Sequence, residues 1–123
     1  MAKILIVDDE KHIRVLYAEE LEEEGYEVAV ASDGKDIIAR LEQERPDVVI
    51  LDIKMVDCSG LDVLQEIRNR FYNLPVILCS AYGTYRVDVK SIAADAYVVK
   101  SSDLTELKKK IAQALETRVP EKG

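Results

Sequence analysis

Polar or charged side chains stand at the ends of four of the five apolar runs that divide the sequence. These side chains are Asp8, Asp9, Asp52, Ser80 and Lys100. If the runs are parallel strands of one sheet, their carboxyl ends meet at a single edge, and sheets of this kind bind ligands there. Taken singly, each of these residues is more commonly a turn former, a helix cap or a solvated charge. Their joint placement predicts one site.

The charges of this cluster suggest its chemistry. Two carboxylates about 4 Å apart repel by about 4 kcal/mol at an effective dielectric constant of about 20, so Asp8, Asp9 and Asp52 need a cation among them. Oxygen ligands without a neighbouring His or Cys favour Mg²⁺ over a transition metal. Lys100 adds a positive charge and Ser80 a hydroxyl donor, which suit a phosphoryl group. A carboxylate can accept that group as an acyl phosphate.

The elements that must position these residues alternate regularly along the chain. Apolar runs predict strands at residues 4–7, 26–31, 48–51, 75–79 and 96–99, of which the third is the most apolar and therefore the central one. Helical periodicity predicts helices at residues 11–24, 33–44, 59–70, 85–94 and 103–116. Five such units predict an α/β fold with a parallel sheet, right-handed crossovers and helices on both faces.

Single residues predict where some of these helices begin and end. Gly25 is expected to terminate the first helix, and Asp103 is expected to cap the last one together with Glu106. The segment 85–94 contains several β-branched and aromatic residues, which are poor helix formers. We therefore expect the fourth helix to be marginal and able to shift.

Length and composition limit the possible classes of protein. The 123 residues, 48% of them hydrophobic, fit one domain over residues 1–117 with a polar tail or linker stub at 118–123. A net charge of −7 argues against binding nucleic acid. With neither a membrane-spanning run nor a secretory signal, the protein is expected in the cytoplasm. Cys58 and Cys79 lack metal-type spacing and are expected to be a loop thiol and a core residue.

Four motifs in order give the sequence a family resemblance over about residues 3–117. They are ILIVDDE, VVILDIKM followed by Gly60, ILCSAYG, and DAYVVK. In these motifs the sequence resembles the receiver domain of two-component response regulators. The resemblance implies a flavodoxin-like (βα)5 doubly wound sandwich, with a five-stranded parallel sheet in the order 2-1-3-4-5.

The resemblance also implies roles and partners. Asp52 is the implied phosphoacceptor, and Mg²⁺ is the implied cofactor, held by Asp8, Asp9, Asp52 and the backbone carbonyl of Lys54. The phosphoryl donor is a sensor histidine kinase or a phosphotransfer protein. A downstream protein or a second copy binds the face built from the fourth helix, fifth strand and last helix. Such a switch assists its own phosphorylation and dephosphorylation, and no separate substrate turnover is expected.

Further residues complete the implied switch. Ser80 hydrogen-bonds the phosphoryl group and Lys100 pairs with it, while Tyr97 turns inward when Ser80 moves toward the phosphate. Gly60 lies in the loop after the acceptor, where a positive φ is expected.

The sequence departs from the resembled family at two positions where proline is usual. Ser101 follows Lys100, and because a cis bond before a non-proline residue costs about 3–4 kcal/mol, we predict a trans Lys100–Ser101 bond. Val56 replaces the other proline, which is expected to make the loop after the acceptor more mobile. In addition, Lys54 and Tyr82 flank the predicted pocket, and we expect this bulky pair to shield the phosphoryl group from water.

Other functions fit the sequence less well. A degenerate receiver that binds partners without phosphorylation is opposed by the intact set of polar residues, although Ser101 and Val56 keep it open. A phosphatase of the haloacid dehalogenase type needs an Asp-x-Asp pair, whereas Asp52 is followed by Ile53 and Lys54. A Rossmann nucleotide-binding domain needs a Gly-rich loop after the first strand, and none follows it here.

Overall fold

A computed structural model of the chain describes residues 2–56, 58–81, 94–101 and 103–117. The strands are β1 (Lys3–Val7), β2 (Glu27–Ala31), β3 (Val48–Asp52), β4 (Val76–Ser80) and β5 (Ala96–Val99). The helices are α1 (Lys11–Glu23), α2 (Ile37–Glu44), α3 (Gly60–Arg70) and the last helix, α4 (Thr105–Thr117). Residues 85–93 of the predicted fourth helix, Tyr82 and the predicted tail at 118–123 lie outside the described residues.

The five strands form one parallel sheet in the order β2-β1-β3-β4-β5, which confirms the predicted fold. The central strand is β3, as its composition predicts. All five of its residues are buried, because it pairs with β1 on one side and β4 on the other while helices cover both faces. The sheet therefore brings the ends of its three middle strands together inside the protein.

Alternate residues of each strand feed two separate cores. On one face, Leu5 and Val7 pack in a cluster with side chains of α2 and α3. On the other face, Ile4 and Ile6 pack with side chains of α1 and α4, including the buried Tyr17. Each core lies between the sheet and a pair of helices, so the predicted three-layer arrangement is confirmed.

The predicted start of the second helix is wrong by four residues. The carboxylate of Asp33 accepts the backbone N–H of Lys35 at 2.9 Å, which closes a local turn instead of capping a helix. Asp36 then adopts a left-handed conformation with φ of 54°, and the helix begins at Ile37. An aspartate favours both a turn and a cap, and the sequence pattern does not distinguish them.

One other predicted helix end agrees with the structure, and a second agrees only in part. Gly25 follows α1 with φ of 95°, a conformation that glycine adopts without strain. The last helix begins at Thr105, two residues after the predicted start, and the Asp103 carboxylate accepts the N–H of Thr105 at 3.0 Å in a turn that precedes it. Among the described residues, no helix has the length and apolarity needed to cross a membrane.

Candidate functional site

The structure brings the sequence-predicted polar residues to the carboxyl edge of the sheet. Asp8 directly follows β1, Asp52 and Ser80 are the last residues of β3 and β4, and Lys100 directly follows β5. The sequence had placed Asp52 and Ser80 one residue beyond their strands. Asp8, Asp52 and Ser80 are all nearly inaccessible, at 1–3% exposure. Buried polar side chains at one sheet edge define a candidate site.

The ammonium of Lys100 lies at the centre of this site. Its Nζ atom is 2.9 Å from Asp8 Oδ2, 3.2 Å from Asp52 Oδ1 and 3.3 Å from Glu10 Oε1. Burial by itself lowers the pKa of Lys100, but the hydrogen bond to Asp8 and the charges of Asp52 and Asp8 raise that pKa above its ordinary value. Lys100 therefore remains a cation and ties the ends of the first, third and fifth strands together.

Asp52 is the most perturbed carboxyl group of the site. Burial and the charge of Asp8 raise the pKa of Asp52 to about 6, although Lys100 acts in the opposite direction. Its Oδ1 atom faces Lys100 and accepts the backbone N–H of Lys54 at 3.4 Å. Its Oδ2 atom is buried and has no hydrogen-bond partner within the described part of the chain. This oxygen is available to a ligand.

Carboxylate oxygens of Asp8, Asp9 and Glu10 lie within 4.8 Å of one another, next to Lys100. The Asp8 carboxylate also accepts the N–H of Glu10 at 2.9 Å, and Asp9 Oδ2 accepts the N–H of Val56 at 2.7 Å. A set of hard oxygen ligands beside the unpartnered oxygen of Asp52 fits Mg²⁺. Sequence reasoning assigned no role to Glu10, although its place in the acidic triplet after β1 was a signal.

The loop between β3 and α3 is folded tightly against the end of β3. Gly60 donates its N–H to the carbonyl of Ile53 at 2.6 Å, and residues 54 and 59 form an isolated antiparallel bridge. A Cβ atom on Gly60 would lie 2.0 Å from the carbonyl oxygen of Asp52. The expectation of a positive φ at Gly60 is wrong; among the described glycines only Gly25 has one. Glycine is required here by the close approach of two backbones.

The remaining predicted positions are described in part. No cis peptide bond occurs among the described residues, so the predicted trans bond between Lys100 and Ser101 is confirmed. Tyr97 is 8% exposed and belongs to the core cluster under α2 and α3. The side chain of Lys54 is exposed, while its expected partner Tyr82 lies outside the described residues. Cys79 is buried and Cys58 is half-buried, and both are free thiols.

Comparison with known sequences agrees with this architecture. Residues 4–112 match the profile of the response regulator receiver domain. The chain belongs to this family. It is therefore a receiver domain of a two-component response regulator, with the five-stranded fold of that family.

Several solved structures and curated sequences resemble this receiver domain. The response regulator TrrA from Thermotoga maritima, solved in complex with Mg²⁺-BeF, is 48% identical with a TM-score of 0.88, covering 94% of this chain and 100% of that one. A complex of the histidine kinase ThkA with TrrA gives 48% identity and a TM-score of 0.85, covering 94% of this chain and 99% of that chain.

Curated relatives of the receiver domain are longer proteins. The probable transcriptional regulator ycf27 of Guillardia theta is 43% identical over 115 residues, which is 92% of this chain and 45% of that protein. TcrX of Mycobacterium tuberculosis, a probable transcriptional regulatory protein, is 37% identical over 106 residues, or 85% of this chain and 45% of that protein. The chain thus spans less than half the length of either relative.

Proposed function

We propose that this receiver domain is a phosphorylation-dependent signalling switch in which Asp52 accepts the phosphoryl group. The observation that carries the proposal is the buried Oδ2 atom of Asp52, which has no hydrogen-bond partner within the described residues. A buried carboxylate oxygen without a donor is unfavourable in the free protein. A ligand that binds this oxygen offsets the free-energy cost of burying it. A covalent bond to phosphorus offsets the same cost for the lifetime of the acyl phosphate.

The donor in this proposal is the phosphohistidine of a sensor histidine kinase or of a phosphotransfer protein. The structure of TrrA with the kinase ThkA supports a kinase partner. During transfer, an oxygen of ionised Asp52 forms a bond to phosphorus while the bond between phosphorus and the donor nitrogen breaks. The electron pair of the broken bond stays on the histidine ring, and the product on this chain is an acyl phosphate.

Asp8, Asp9, Asp52 and the backbone carbonyl of Lys54 are the groups that would hold Mg²⁺. When bound, the ion supplies positive charge that neutralises phosphoryl oxygens. The clustering of carboxylate oxygens from Asp8 and Asp9, together with Glu10, supports the first two of these ligands, and the Mg²⁺-BeF complex of TrrA supports a Mg²⁺ site. The carboxylate of Asp8 is the group that links such a metal site to Lys100, because its Oδ2 lies 2.9 Å from the ammonium.

Lys100 and Ser80 are proposed to bind the transferred group. Lys100 already lies 3.2 Å from Asp52 Oδ1, so its ammonium can pair with a phosphoryl oxygen while Asp8 continues to hold it. Ser80 ends the neighbouring strand β4, and its hydroxyl is a donor for a second phosphoryl oxygen. Positioning of these donors in a buried site is the main contribution that the protein makes to phosphoryl transfer.

The signal is proposed to leave the site through Ser80 and Tyr97. Movement of Ser80 toward the phosphoryl group is coupled to the inward position of Tyr97, which stabilises one arrangement of the surface around β5. We propose that a downstream protein or a second copy binds a face that includes β5 and the last helix α4, together with the segment that the sequence predicts as the fourth helix. The proposed setting is the cytoplasm.

Incubation with acetyl phosphate and Mg²⁺, followed by intact-mass measurement, tests the proposal. We expect the mass to rise by one phosphoryl group in the wild type and not in Asp52→Asn. Asp62→Asn, which changes an exposed carboxylate on α3, is the matched control and should be phosphorylated like the wild type. If the wild-type chain gains no phosphoryl group, the proposal is wrong and the degenerate receiver becomes the better description.

A further inference from the structure

We infer that the backbone N–H of Val56 is a positioning group for the Mg²⁺ site, because it orients the carboxylate of Asp9. The inference deepens the proposed function and rests on it, since it concerns the same metal site. The contact is a hydrogen bond of 2.7 Å from Val56 N to Asp9 Oδ2, across 47 residues of sequence. A donor at this distance from an ionised acceptor forms one of the stronger types of hydrogen bond.

Only the backbone of Val56 is available for this role. The Val56 side chain is 89% exposed and therefore makes little packing contact. The preceding side chain, Met55, is 8% exposed and anchors the loop in the core cluster. The chain thus buries one residue and directs the amide of the next toward the loop that follows β1.

The segment that carries Val56 is fastened on both sides of the hydrogen bond. Residues 54 and 59 form an antiparallel bridge, and Gly60 donates to the carbonyl of Ile53. A donor on a restrained loop holds its acceptor in a restrained orientation. With Oδ2 bound to the amide, Asp9 keeps its other oxygen for the metal ion, and the loop that supplies the carbonyl of Lys54 is held close to Asp9. Partners of this kind commonly raise metal affinity by ordering the ligands in advance.

A proline at position 56 has no N–H and is unable to make this bond. Proline is the usual residue here in the family that the sequence resembles, so the chain gains a donor at one of its two departures from that family. Increased loop mobility was the expectation from sequence. The hydrogen bond to Asp9 points to the opposite consequence, since it adds a restraint between two loops.

Calorimetric titration of metal-free protein with Mg²⁺ tests the inference. We expect Val56→Pro to weaken Mg²⁺ binding by about tenfold, the lower end of the effect seen when a partner of a metal ligand is removed. Val56→Ala keeps the N–H and removes only an exposed side chain, so its affinity should stay within about twofold of the wild type. Equal or tighter binding by Val56→Pro, with the fold intact by circular dichroism, would overturn the inference.

Two further measurements test the inference without relying on the Val56→Pro variant. If Val56→Pro does not fold, replacing Val56 by its α-hydroxy acid removes the N–H without adding a ring, and the same loss of affinity is expected. In the metal-free wild type, hydrogen exchange at the Val56 amide should be slower than in an unstructured chain; unprotected exchange would contradict the hydrogen bond itself. If the wild type binds no Mg²⁺, the proposed metal site fails, whereas binding that is insensitive to the N–H refutes the positioning role alone.

Discussion

The amino end of the sheet pairs its charged groups close to solvent, whereas the carboxyl end places more carboxylates than cations in a buried space. At the amino end, Lys3 lies 2.8 Å from Glu44, and Arg68 lies 2.6 Å from Asp95. The Asp95 carboxylate also accepts the N–H of Val76 at 2.8 Å. The partners Glu44 and Asp95 remain 20% and 46% exposed, so water shares the solvation of these pairs.

At the carboxyl end, the ammonium of Lys100 faces three carboxylates, and the side chains of two of these, Asp8 and Asp52, are only 4% and 3% exposed. Burial raises the pKa of Asp52 to about 6, which shows that its ionised form is disfavoured in the folded protein. The charged pairs at the amino end therefore favour the folded state, whereas the excess of buried carboxylates at the carboxyl end opposes it. Such local conflict is typical of functional sites.

The largest effect on stability is expected from Lys100→Met. This change leaves Asp8 and Asp52 buried without their shared cation, and breaking a buried pair in this way costs about 3 kcal/mol or more. We expect the free energy of unfolding of the metal-free protein at neutral pH to fall by that amount in urea denaturation. Unchanged stability would mean that Lys100 does not stabilise the carboxyl end of the sheet. The contrast drawn between the two ends would then be wrong.

Asp52→Asn should have the opposite sign. Because the pKa of Asp52 is raised from 3.8 to about 6, the folded state binds more protons than the unfolded state between these values, and wild-type stability falls as pH rises through that window. In metal-free buffer above pH 6, we expect the variant to be more stable by up to about 3 kcal/mol. The advantage should shrink as pH falls toward 4. An advantage independent of pH would show that another property of the carboxylate is responsible.

Arg68→Met tests the amino end. Arg68 donates to the carbonyl of Leu74 and to Asp95, and loss of such bonds costs about 1–2 kcal/mol in the free energy of unfolding. Phosphoryl uptake from acetyl phosphate should not change, because this network lies at the end of the sheet remote from Asp52. A variant of normal stability but reduced uptake would show that the two ends are coupled.

The smallest effect is expected from Glu44→Gln. The hydrogen bond between the two side chains raises the pKa of Lys3 and lowers that of Glu44, yet both groups are close to solvent. The decrease in thermal midpoint should be smaller than for Arg68→Met, and it should disappear as salt is added, because screening weakens exposed pairs. A decrease in thermal midpoint that persists in high salt would show that the Lys3–Glu44 pair behaves like the buried ion pairs at the carboxyl end.

Sequence patterns predicted the fold and the meeting of the main candidate residues at one sheet edge, because both depend on local signals. Each strand is a short apolar run, and the residues that end these runs meet wherever a parallel sheet places its strand ends. The start of α2 was missed because Asp33 closes a turn with its own neighbour, a choice that composition does not reveal. Gly60 was predicted correctly as a necessary glycine but for the wrong reason, since the contact with the Asp52 carbonyl is set by tertiary packing.

Two contacts of the site were beyond sequence reasoning for a common reason. Glu10 meets Lys100 across 90 residues, and the Val56 amide meets Asp9 across 47. Neither contact has a local pattern, and the second uses a backbone donor that every residue except proline carries. Such contacts follow from how two loops lie against each other, and only the folded chain specifies that.

The position of Lys100 has a consequence for the order in which a ribosome delivers the site. Asp8 leaves the exit tunnel early, and four more strands follow before its partner Lys100 emerges. A nascent chain that stops short of Lys100 carries Asp52 and its acidic neighbours but lacks their cation. Under the proposed function, phosphoryl uptake would therefore require that β5 and Lys100 have been synthesised and folded.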